Sequence, residues 1–293
     1  MWIILSITAA AIWAICNIID KFVLSKYIKD PIITTSVFSI VNLASSGFLI
    51  CFVNVSLPLP IVLIGCLVGG ILYFAGICIY FVALKHEETS KVVSLLFMKP
   101  LFVLLLASMF LGEILTVERL IGFSFLLFSS LLLSIERTAK VKVSKTFFMM
   151  VVSDLILATS SVITKYLLYY IDYWNVFFWE RIGTFIGSVP VIYLYLSKFI
   201  DIARRAGSYA WGYMSISEIL NLIALFLSTV AISAGPVSLV SALISIQPLF
   251  SFAYAAIIGF YIPDLREKTD TRTLCIKLVS FMFIIIGGYF VAC

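Results

Sequence analysis

The chain has 293 residues, of which 63% are apolar and only 12% are charged, and its mean hydropathy is +1.17. A single soluble core cannot bury that much apolar surface, so the composition excludes a soluble globular protein. The net charge of +5 does not indicate nucleic-acid binding, because the basic residues lie in short connections between long apolar runs. Runs of about 20 apolar residues predict membrane-spanning helices, and therefore an all-α membrane protein.

The apolar runs and the breakers between them predict ten such helices. Connections such as "NVSLPLP" and "AGP" place Asn, Gly or Pro where a helix should end. In chain order the predicted spans lie near residues 2–20, 32–53, 60–84, 89–111, 119–135, 145–170, 176–197, 212–233, 237–261 and 274–293. No basic segment precedes the first run and no cleavage signature follows it, so we expect it to be retained as a helix.

The distribution of basic residues predicts the orientation of the chain. Sixteen of the 20 lysines and arginines lie in the connections after odd-numbered spans, whereas the connections after even-numbered spans hold only Arg119. By the positive-inside rule the odd connections face the cytoplasm. We therefore expect a multi-pass protein of the cell (inner) membrane with both termini on the non-cytoplasmic side.

Two stretches of the chain repeat each other. The segment "ALKHEETSKVVSLLFMKPLF" at 83–102 aligns without gaps on "AISAGPVSLVSALISIQPLF" at 231–250, at an offset of 148 residues. A second pair, "NIIDKFVL" from Asn17 and "SVITKYLL" from Ser161, has an offset of 144 residues. The halves, 1–138 and 139–293, thus hold five helices each. An odd number of helices gives the second half the opposite orientation, which predicts an inverted repeat.

The same segments carry a resemblance to a known family. The stretch at 88–134, from "ETSKVVSLLFMKPLF" through "FLGEILTVERL" to "SSLLLS", resembles the end of the first EamA repeat of the drug/metabolite transporter superfamily. "GPVSLVSALISIQPLFSFAYAAII" and "KLVSFMFIIIGGYFVAC" resemble the second repeat. The resemblance implies ten helices, with helices one to four and six to nine around a central cavity. The chain departs from the family pattern at Lys99 and in the charged connection "IPDLREKTDTRT".

Ionisable side chains within predicted spans are the main candidates for a site, because each costs about 2.5–3.5 kcal/mol in mid-bilayer unless it has a partner or a wet cavity. Lys99 lies near the centre of helix four, and it either binds a substrate anion or pairs with a carboxylate for stability alone. Its carboxylate partners are Asp154, Glu180 or Glu218, which are also the candidates for binding a coupling proton. Asn221 shares a helix face with Glu218.

Two neighbouring residues of helix seven carry opposite charges. Glu180 and Arg181 are adjacent, so they point about 100° apart on the helix and are not expected to satisfy each other face to face. At least one of them should contact another helix. The resemblance makes Arg181 as suited to a structural role as to a substrate-facing one.

The repeat also pairs a charged residue with an uncharged one. Gln247 occupies the position in the second half that Lys99 occupies in the first, which predicts an asymmetric cavity. Pro100 and Pro248 match across the repeat and predict a helix kink in each half, or serve packing alone. Trp13 and Tyr80 are candidates to line the cavity, although aromatic residues in such a protein also face lipid or the core.

Taken together, the pattern predicts a secondary active transporter, in particular an exporter of a small amino acid-like, zwitterionic or anionic metabolite. A carrier of lipid-linked precursors and a non-transporting membrane scaffold are the alternatives. No nucleotide-binding or catalytic motif occurs in the sequence, so we expect no enzyme activity, no cofactor and no metal. The expected partners are a small-molecule substrate and the lipid bilayer, not nucleic acid, and a homodimer is left open.

Overall fold

The computed structural model describes residues 1–27, 30–49, 53–86, 96–135, 145–205, 207–247, 249–251, 253–254 and 271–292. Within these residues the ordered elements are helices, and there is no strand. The fold is therefore all-α, as predicted. The predicted kink at Pro248 lies outside the described residues.

Eleven α-helices are numbered here in chain order through the described residues. They are α1 (Trp2–Lys26), α2 (Pro31–Leu49), α3 (Pro60–His86), α4 (Lys99–Leu111), α5 (Val117–Ile135), α6 (Lys145–Leu167), α7 (Tyr173–Leu194), α8 (Leu196–Arg205), α9 (Ser208–Ala234), α10 (Val237–Ile244) and α11 (Thr271–Ala292). A 3-10 turn, Leu96–Met98, precedes α4.

Four helical segments are long and apolar enough to cross a membrane. They are Trp2–Asp20, Pro60–Ala83, Lys145–Leu167 and Ser208–Ala234. A fifth candidate is α7 together with α8, which follows after a bend of 93°. The chain is thus a multi-pass membrane protein, and the described residues supply four or five of the ten predicted spans by this measure.

Helix α8 was not predicted from the sequence, which placed the seventh span through Ser197. It turns sharply away from α7, and Phe199 and Ile202 pack against an apolar cluster that contains Val23 and Met214. Lys198 forms an ion pair with Asp30, which precedes α2. A short helix with one apolar and one charged face is typical of a segment lying at the membrane surface.

The helices pack in a pattern that joins the two halves. The closest packed pairs are α1 with α9, α3 with α6, α3 with α7, and α5 with α11; α2 also packs on α7, and α4 on α6 and α10. Helices α5 and α11 contact each other along their length, and Gly122 and Gly287 allow their backbones to meet. This pair stands beside the remaining bundle.

Small residues bring α3 and α7 into backbone contact. A Cβ added at Gly70 would meet the Glu180 carbonyl oxygen and lie 2.6 Å from the Thr184 nitrogen. A Cβ added at Gly183 would lie 2.8 Å from the Leu67 Cα. Only glycine permits this approach, which is the usual role of small residues between membrane helices.

Polar side chains tie the loop between α9 and α10 to neighbouring helices. Glu113, just after α4, accepts hydrogen bonds from the first amides of α10, at Val237 (3.0 Å) and Ser238 (3.2 Å). Lys165 donates to the Ile232 and Gly235 carbonyl oxygens at the end of α9, at 2.8 and 3.0 Å. Glu113 therefore caps one helix start and Lys165 one helix end, as suits charges at those termini.

Apolar clusters flank the centre of the bundle at both ends. One includes Val103, Val162 and Val240 near the capped loop. The other includes Val23 and Met150 near the opposite ends of α1 and α6. Polar side chains are concentrated between these two clusters.

Candidate functional site

A central cavity of about 210 Å³ lies between the apolar clusters. Side chains from α1, α2, α3, α6, α7, α9 and α10 line it, together with the start of α4. All eight residues predicted as substrate-binding line this one cavity: Trp13, Tyr80, Lys99, Glu180, Arg181, Glu218, Asn221 and Gln247. The helix packing thus brings together residues that are far apart in the sequence.

A chain of hydrogen bonds crosses one wall of the cavity. The Trp13 Nε1 on α1 donates to the Asn221 Oδ1 on α9 at 2.8 Å. The Asn221 amide donates to the Glu218 carboxylate at 3.4 Å, and the Asn42 amide on α2 donates to the same carboxylate. Glu218 is almost completely buried, at 1% exposure, so these amides replace the water that would otherwise solvate its carboxylate.

Arg181 continues this network into α7. Its Nη1 donates to the Asn42 Oδ1 at 3.3 Å, and its guanidinium lies over the Tyr73 ring at 5.0 Å and the Phe177 ring at 5.3 Å. Arginine on an aromatic face is a stable arrangement when desolvated. The Nε has no hydrogen-bond partner in the described structure, although Arg181 is only 2% exposed. A buried donor of this kind is free to bind a ligand acceptor.

Glu180 and Arg181 both make hydrogen bonds to other helices, whereas their adjacent positions predicted this for at least one of them. The Thr164 hydroxyl on α6 donates to the Glu180 carboxylate at 2.6 Å. The Arg181 Nη2 lies 3.9 Å from the Glu180 Oε2, which is an ion-pair distance and too long for a hydrogen bond. The two charges therefore offset each other electrostatically while each is anchored elsewhere.

Lys99 interacts electrostatically with Asp154, one of the three carboxylates considered as its partner, but the two form no ion pair within the described structure. Asp154, on α6, is fully buried. Neither carboxylate oxygen of Asp154 meets the geometry of a hydrogen bond within the described structure. Lys99 lines the cavity, whereas Asp154 is not among its lining residues.

Asp20 lines the cavity and was missed by the sequence analysis. The Ser217 hydroxyl on α9 donates to its carboxylate at 2.6 Å, and its charge acts on the nearby Glu218. Asp20 ends the predicted first span and precedes Lys21, which makes it resemble a residue at the membrane surface. The repeat offered one signal, because an offset of 144 residues aligns Asp20 with Thr164, which contacts Glu180.

Asn42 was also missed, although it connects Arg181 and Glu218. It is 3% exposed and lies in the middle of the predicted second span. An amide within an apolar span was the available signal, since such a group needs a partner in the bundle interior.

Turns that are not α-helical occur at matching places in the two halves. The 3-10 turn Leu96–Met98 ends where α4 begins at Lys99, next to Pro100. In the second half α10 ends at Ile244, and a turn at 245–246 precedes Gln247. The breaks lie at the repeat offset of 148 residues, and Lys99 and Gln247 follow them at equivalent positions. Pro100 lines the cavity; the helix bend expected at it stays a prediction.

Within the described ranges no group of three or more His, Cys, Asp or Glu residues is arranged to hold a metal ion. The donors that line the cavity are single amides, hydroxyls and charged groups from different helices. Such a set suits an organic solute with several polar groups.

Comparison with known proteins agrees with the resemblance stated from the sequence. Residues 1–135 match the model of the EamA-like transporter family, which confirms the resemblance over this part of the chain. No curated protein sequence shows a significant match. One solved structure, described only as the crystal structure of a protein, matches 99% of this chain and 95% of its own with a TM-score of 0.72 and 16% identity. At that identity the likeness shows the fold alone.

Proposed function

We propose that this chain, a multi-pass membrane protein whose residues 1–135 match the EamA-like transporter family, is a secondary transporter. It exports a small amino acid-like, zwitterionic or anionic solute by alternating access. The observation that carries the proposal is the central cavity, which is built from both halves and lined by side chains of both charges. Transporters with repeated halves bind their substrates at such a midplane position.

The distribution of charge in the cavity supports a zwitterionic substrate. Arg181 is offset by Glu180 and held by Asn42, so it adds little net charge. Asp20 and Glu218 form a carboxylate pole on α1 and α9. Lys99 is a separate cationic pole, whose one charged neighbour in the described structure is Asp154. An amine at the first pole and a carboxylate at the second would place a zwitterion across the cavity.

The size of the cavity supports a small solute. Its volume of about 210 Å³ is below the roughly 300–1,000 Å³ of pockets that bind drug-sized ligands. A lipid-linked precursor would need a larger or laterally open space. We therefore favour a metabolite of amino-acid size.

The packing supports the inverted repeat and the ten-helix arrangement. In the predicted repeat, α1 corresponds to α6, α3 to α9 and α4 to α10. The α1–α9 pair therefore corresponds to the α6–α3 pair, and the α4–α6 pair corresponds to the α10–α1 pair. All four pairs are in contact. Two interhelical hydrogen bonds also correspond to each other in the repeat. The Cys16 thiol donates to the Ser217 carbonyl oxygen at 3.5 Å, and the Ser160 hydroxyl donates to the Gly69 carbonyl oxygen at 3.0 Å.

Coupling to an ion is part of the proposal. Glu180, Glu218 and Asp154 are each less than 5% exposed, and a buried carboxylate without full compensation exchanges a proton in preference to remaining charged. We place the protein in the cell (inner) membrane, with both termini outside, on the basis of the distribution of basic residues.

Counterflow of radiolabelled amino acids into proteoliposomes tests the proposal. Wild-type protein should accumulate at least one labelled amino acid when the same unlabelled amino acid is trapped inside. Glu218→Gln should lose most of this counterflow, while Glu118→Gln, on the exposed first turn of α5, should retain it. Absence of counterflow for every amino acid and for small organic acids would refute the proposed function.

A further inference from the structure

We infer that Arg181 is a specificity-determining residue of the cavity, and that its Nε–H binds an uncharged oxygen acceptor in the side chain of the substrate. This inference rests on the proposed transport function and narrows its substrate class. That class is a small amino acid with a carbonyl or hydroxyl oxygen on a short, uncharged side chain, of which L-asparagine is one example.

Two of the three guanidinium nitrogens of Arg181 already face a partner. The Nη1 donates to the Asn42 Oδ1 at 3.3 Å, and the Nη2 lies 3.9 Å from the Glu180 Oε2. The Nε has no hydrogen-bond partner among the described residues, although Arg181 is only 2% exposed. Burying an N–H group without a partner is unfavourable, so such a group in a cavity wall indicates a binding position for an acceptor.

Two aromatic rings accompany this guanidinium. Its central carbon lies 5.0 Å from the centre of the Tyr73 ring and 5.3 Å from the centre of the Phe177 ring. These cation–π contacts stabilise the charge and exclude water, but they supply no oxygen acceptor for the Nε–H. A hydrogen bond is stronger in such a low-dielectric environment than in water. An oxygen atom of a bound solute at the Nε–H would therefore form a strong contact.

The unused hydrogen-bonding capacity of the cavity wall consists of donors. Two buried side-chain atoms of the described lining have no hydrogen-bond partner, the Arg181 Nε and the Asn17 Nδ2, and both are nitrogens that donate. The lining carboxylates, by contrast, already accept hydrogen bonds, from Ser217 at Asp20, from Thr164 at Glu180, and from Asn42 and Asn221 at Glu218. The unused donors call for a solute that brings oxygen acceptors in addition to its amine.

The charges of the lining favour an uncharged acceptor over a second carboxylate. The described lining holds three carboxylates, on Asp20, Glu180 and Glu218, and two cations, Lys99 and Arg181. Glu180 already offsets the charge of Arg181. A side-chain carboxylate of the solute at the Nε would place a second anion beside one guanidinium, and a buried anion without a cation of its own is strongly destabilised. A carbonyl or hydroxyl oxygen accepts the same hydrogen bond without this penalty.

Asn42 limits the distance between this donor and the proposed amine pole. The Asn42 Oδ1 accepts from Arg181, and the Asn42 Nδ2 donates to Glu218. A single amide therefore separates the guanidinium from the Glu218 carboxylate, which is a proposed contact of the substrate amine. A solute that is held there by its amine needs only a short side chain to reach the Nε–H of Arg181.

Calorimetric titration of purified full-length protein tests this assignment with three amino acids of nearly the same shape. L-Asparagine has an uncharged acceptor in its side chain, L-aspartate has a charged one, and L-leucine has none. We expect wild-type protein to bind L-asparagine about tenfold more tightly than either of the others, because the hydrogen bond comes from a charged donor. Equal affinities for L-asparagine and L-leucine, or a preference for L-aspartate, would overturn the inference.

The double variant Arg181→Met/Glu180→Gln removes the donor. The two changes are combined because Arg181→Met alone would leave the buried Glu180 carboxylate uncompensated. The double variant should lose the preference for L-asparagine over L-leucine. Its affinity for propionate, which has no side-chain acceptor, should stay at the wild-type value. Retention of the L-asparagine preference together with propionate binding would contradict the role of Arg181.

Glu180→Gln alone provides a second test. It keeps the Nε–H of Arg181 and removes the offsetting charge, so it should bind L-aspartate about tenfold more tightly than wild type and still prefer L-asparagine to L-leucine. Unchanged affinity for L-aspartate would overturn the inference, including the case in which the double variant does not fold. Arg204→Met, at an exposed position on α8, is the control for loss of an arginine and should match wild type.

Amino-acid counterflow measured on the same preparation separates this inference from the proposed function. If counterflow of any amino acid occurs while L-asparagine and L-leucine bind equally well, the role of Arg181 is wrong and the transport function stands. Absence of both binding and counterflow for every solute tested would refute the two together.

Discussion

Arg181 and Glu218 are joined through a single amide. The Asn42 Oδ1 accepts from Arg181 at 3.3 Å, and the Asn42 Nδ2 donates to the Glu218 carboxylate. Three helices, α2, α7 and α9, thus meet at one side chain in the middle of the bundle. In the proposed alternating-access cycle, this network would be rearranged as the halves move relative to each other.

Replacing Asn42 with alanine should break this connection. The change leaves a buried arginine and a buried glutamate each without one hydrogen bond, which costs about 1–3 kcal/mol. We expect a lower thermal unfolding temperature and loss of most counterflow. Asn54→Ala, at an exposed position before α3, is the matched control and should change neither. Unchanged counterflow in Asn42→Ala would remove Asn42 from the functional network.

Asp20→Asn tests the carboxylate pole of the cavity. The amide keeps the size of the side chain and still accepts from Ser217, but it removes the charge that would bind a substrate amine. A hydrogen bond to a charged group contributes about 1.5–3 kcal/mol, so the affinity for L-alanine should fall about tenfold to hundredfold.

Propionate, which has no amine, provides the internal comparison for Asp20→Asn. Its calorimetric affinity should stay at the wild-type value. An equal loss of affinity for both compounds would indicate a general structural effect and would contradict the assignment of an amine pole to Asp20.

Gly70→Ala tests the backbone contact between α3 and α7. The added methyl group would meet the backbone of Glu180 and Thr184, and such overpacking typically costs about 1–3 kcal/mol. The unfolding temperature in detergent should fall. Gly212→Ala, on α9, has nothing within 4 Å of the added Cβ and should be neutral or slightly stabilising. Equal stabilities of the two variants would mean that α3 and α7 are farther apart than described.

A C-terminal reporter tests the predicted orientation. A reporter that is active only in the cytoplasm should be inactive when fused after residue 293, and active when inserted in the connection at 136–144. The physical reason is the concentration of lysine and arginine in the odd-numbered connections. Strong activity at the C-terminus would reverse the orientation.

Much of the candidate site could be predicted because the lipid bilayer does not solvate charged side chains. A charged residue in an apolar span has only the bundle interior to face, so the positions of Lys99, Glu180, Arg181 and Glu218 sufficed to place them in one cavity. Asp154 is fully buried but does not line the cavity. Helix periodicity predicts which residues face the bundle interior, but it does not tell a cavity-lining residue from one packed between helices.

The features that could not be predicted depend on where helices end. Asp20 was read as the end of a span, but α1 continues to Lys26, which moves Asp20 a turn and a half into the bundle. Helix α8 was read almost entirely as the connection after the seventh span, because Lys198, Arg204 and Arg205 were taken as orientation signals in a loop. The turns before Lys99 and Gln247 have Pro100 and Pro248 as their local signals, but a proline does not show that the α-helical pattern stops two or three residues before it.

The most direct test of alternating access uses Cys16, which lines the cavity and is 3% exposed. With the other five cysteines replaced, a membrane-impermeant maleimide is applied from either side of oriented vesicles, with and without a counterflow substrate. Alternating access predicts that Cys16 is labelled from both sides and that substrate changes the ratio of the two rates. Labelling from one side only, or from neither, at every substrate concentration would contradict transport through this cavity.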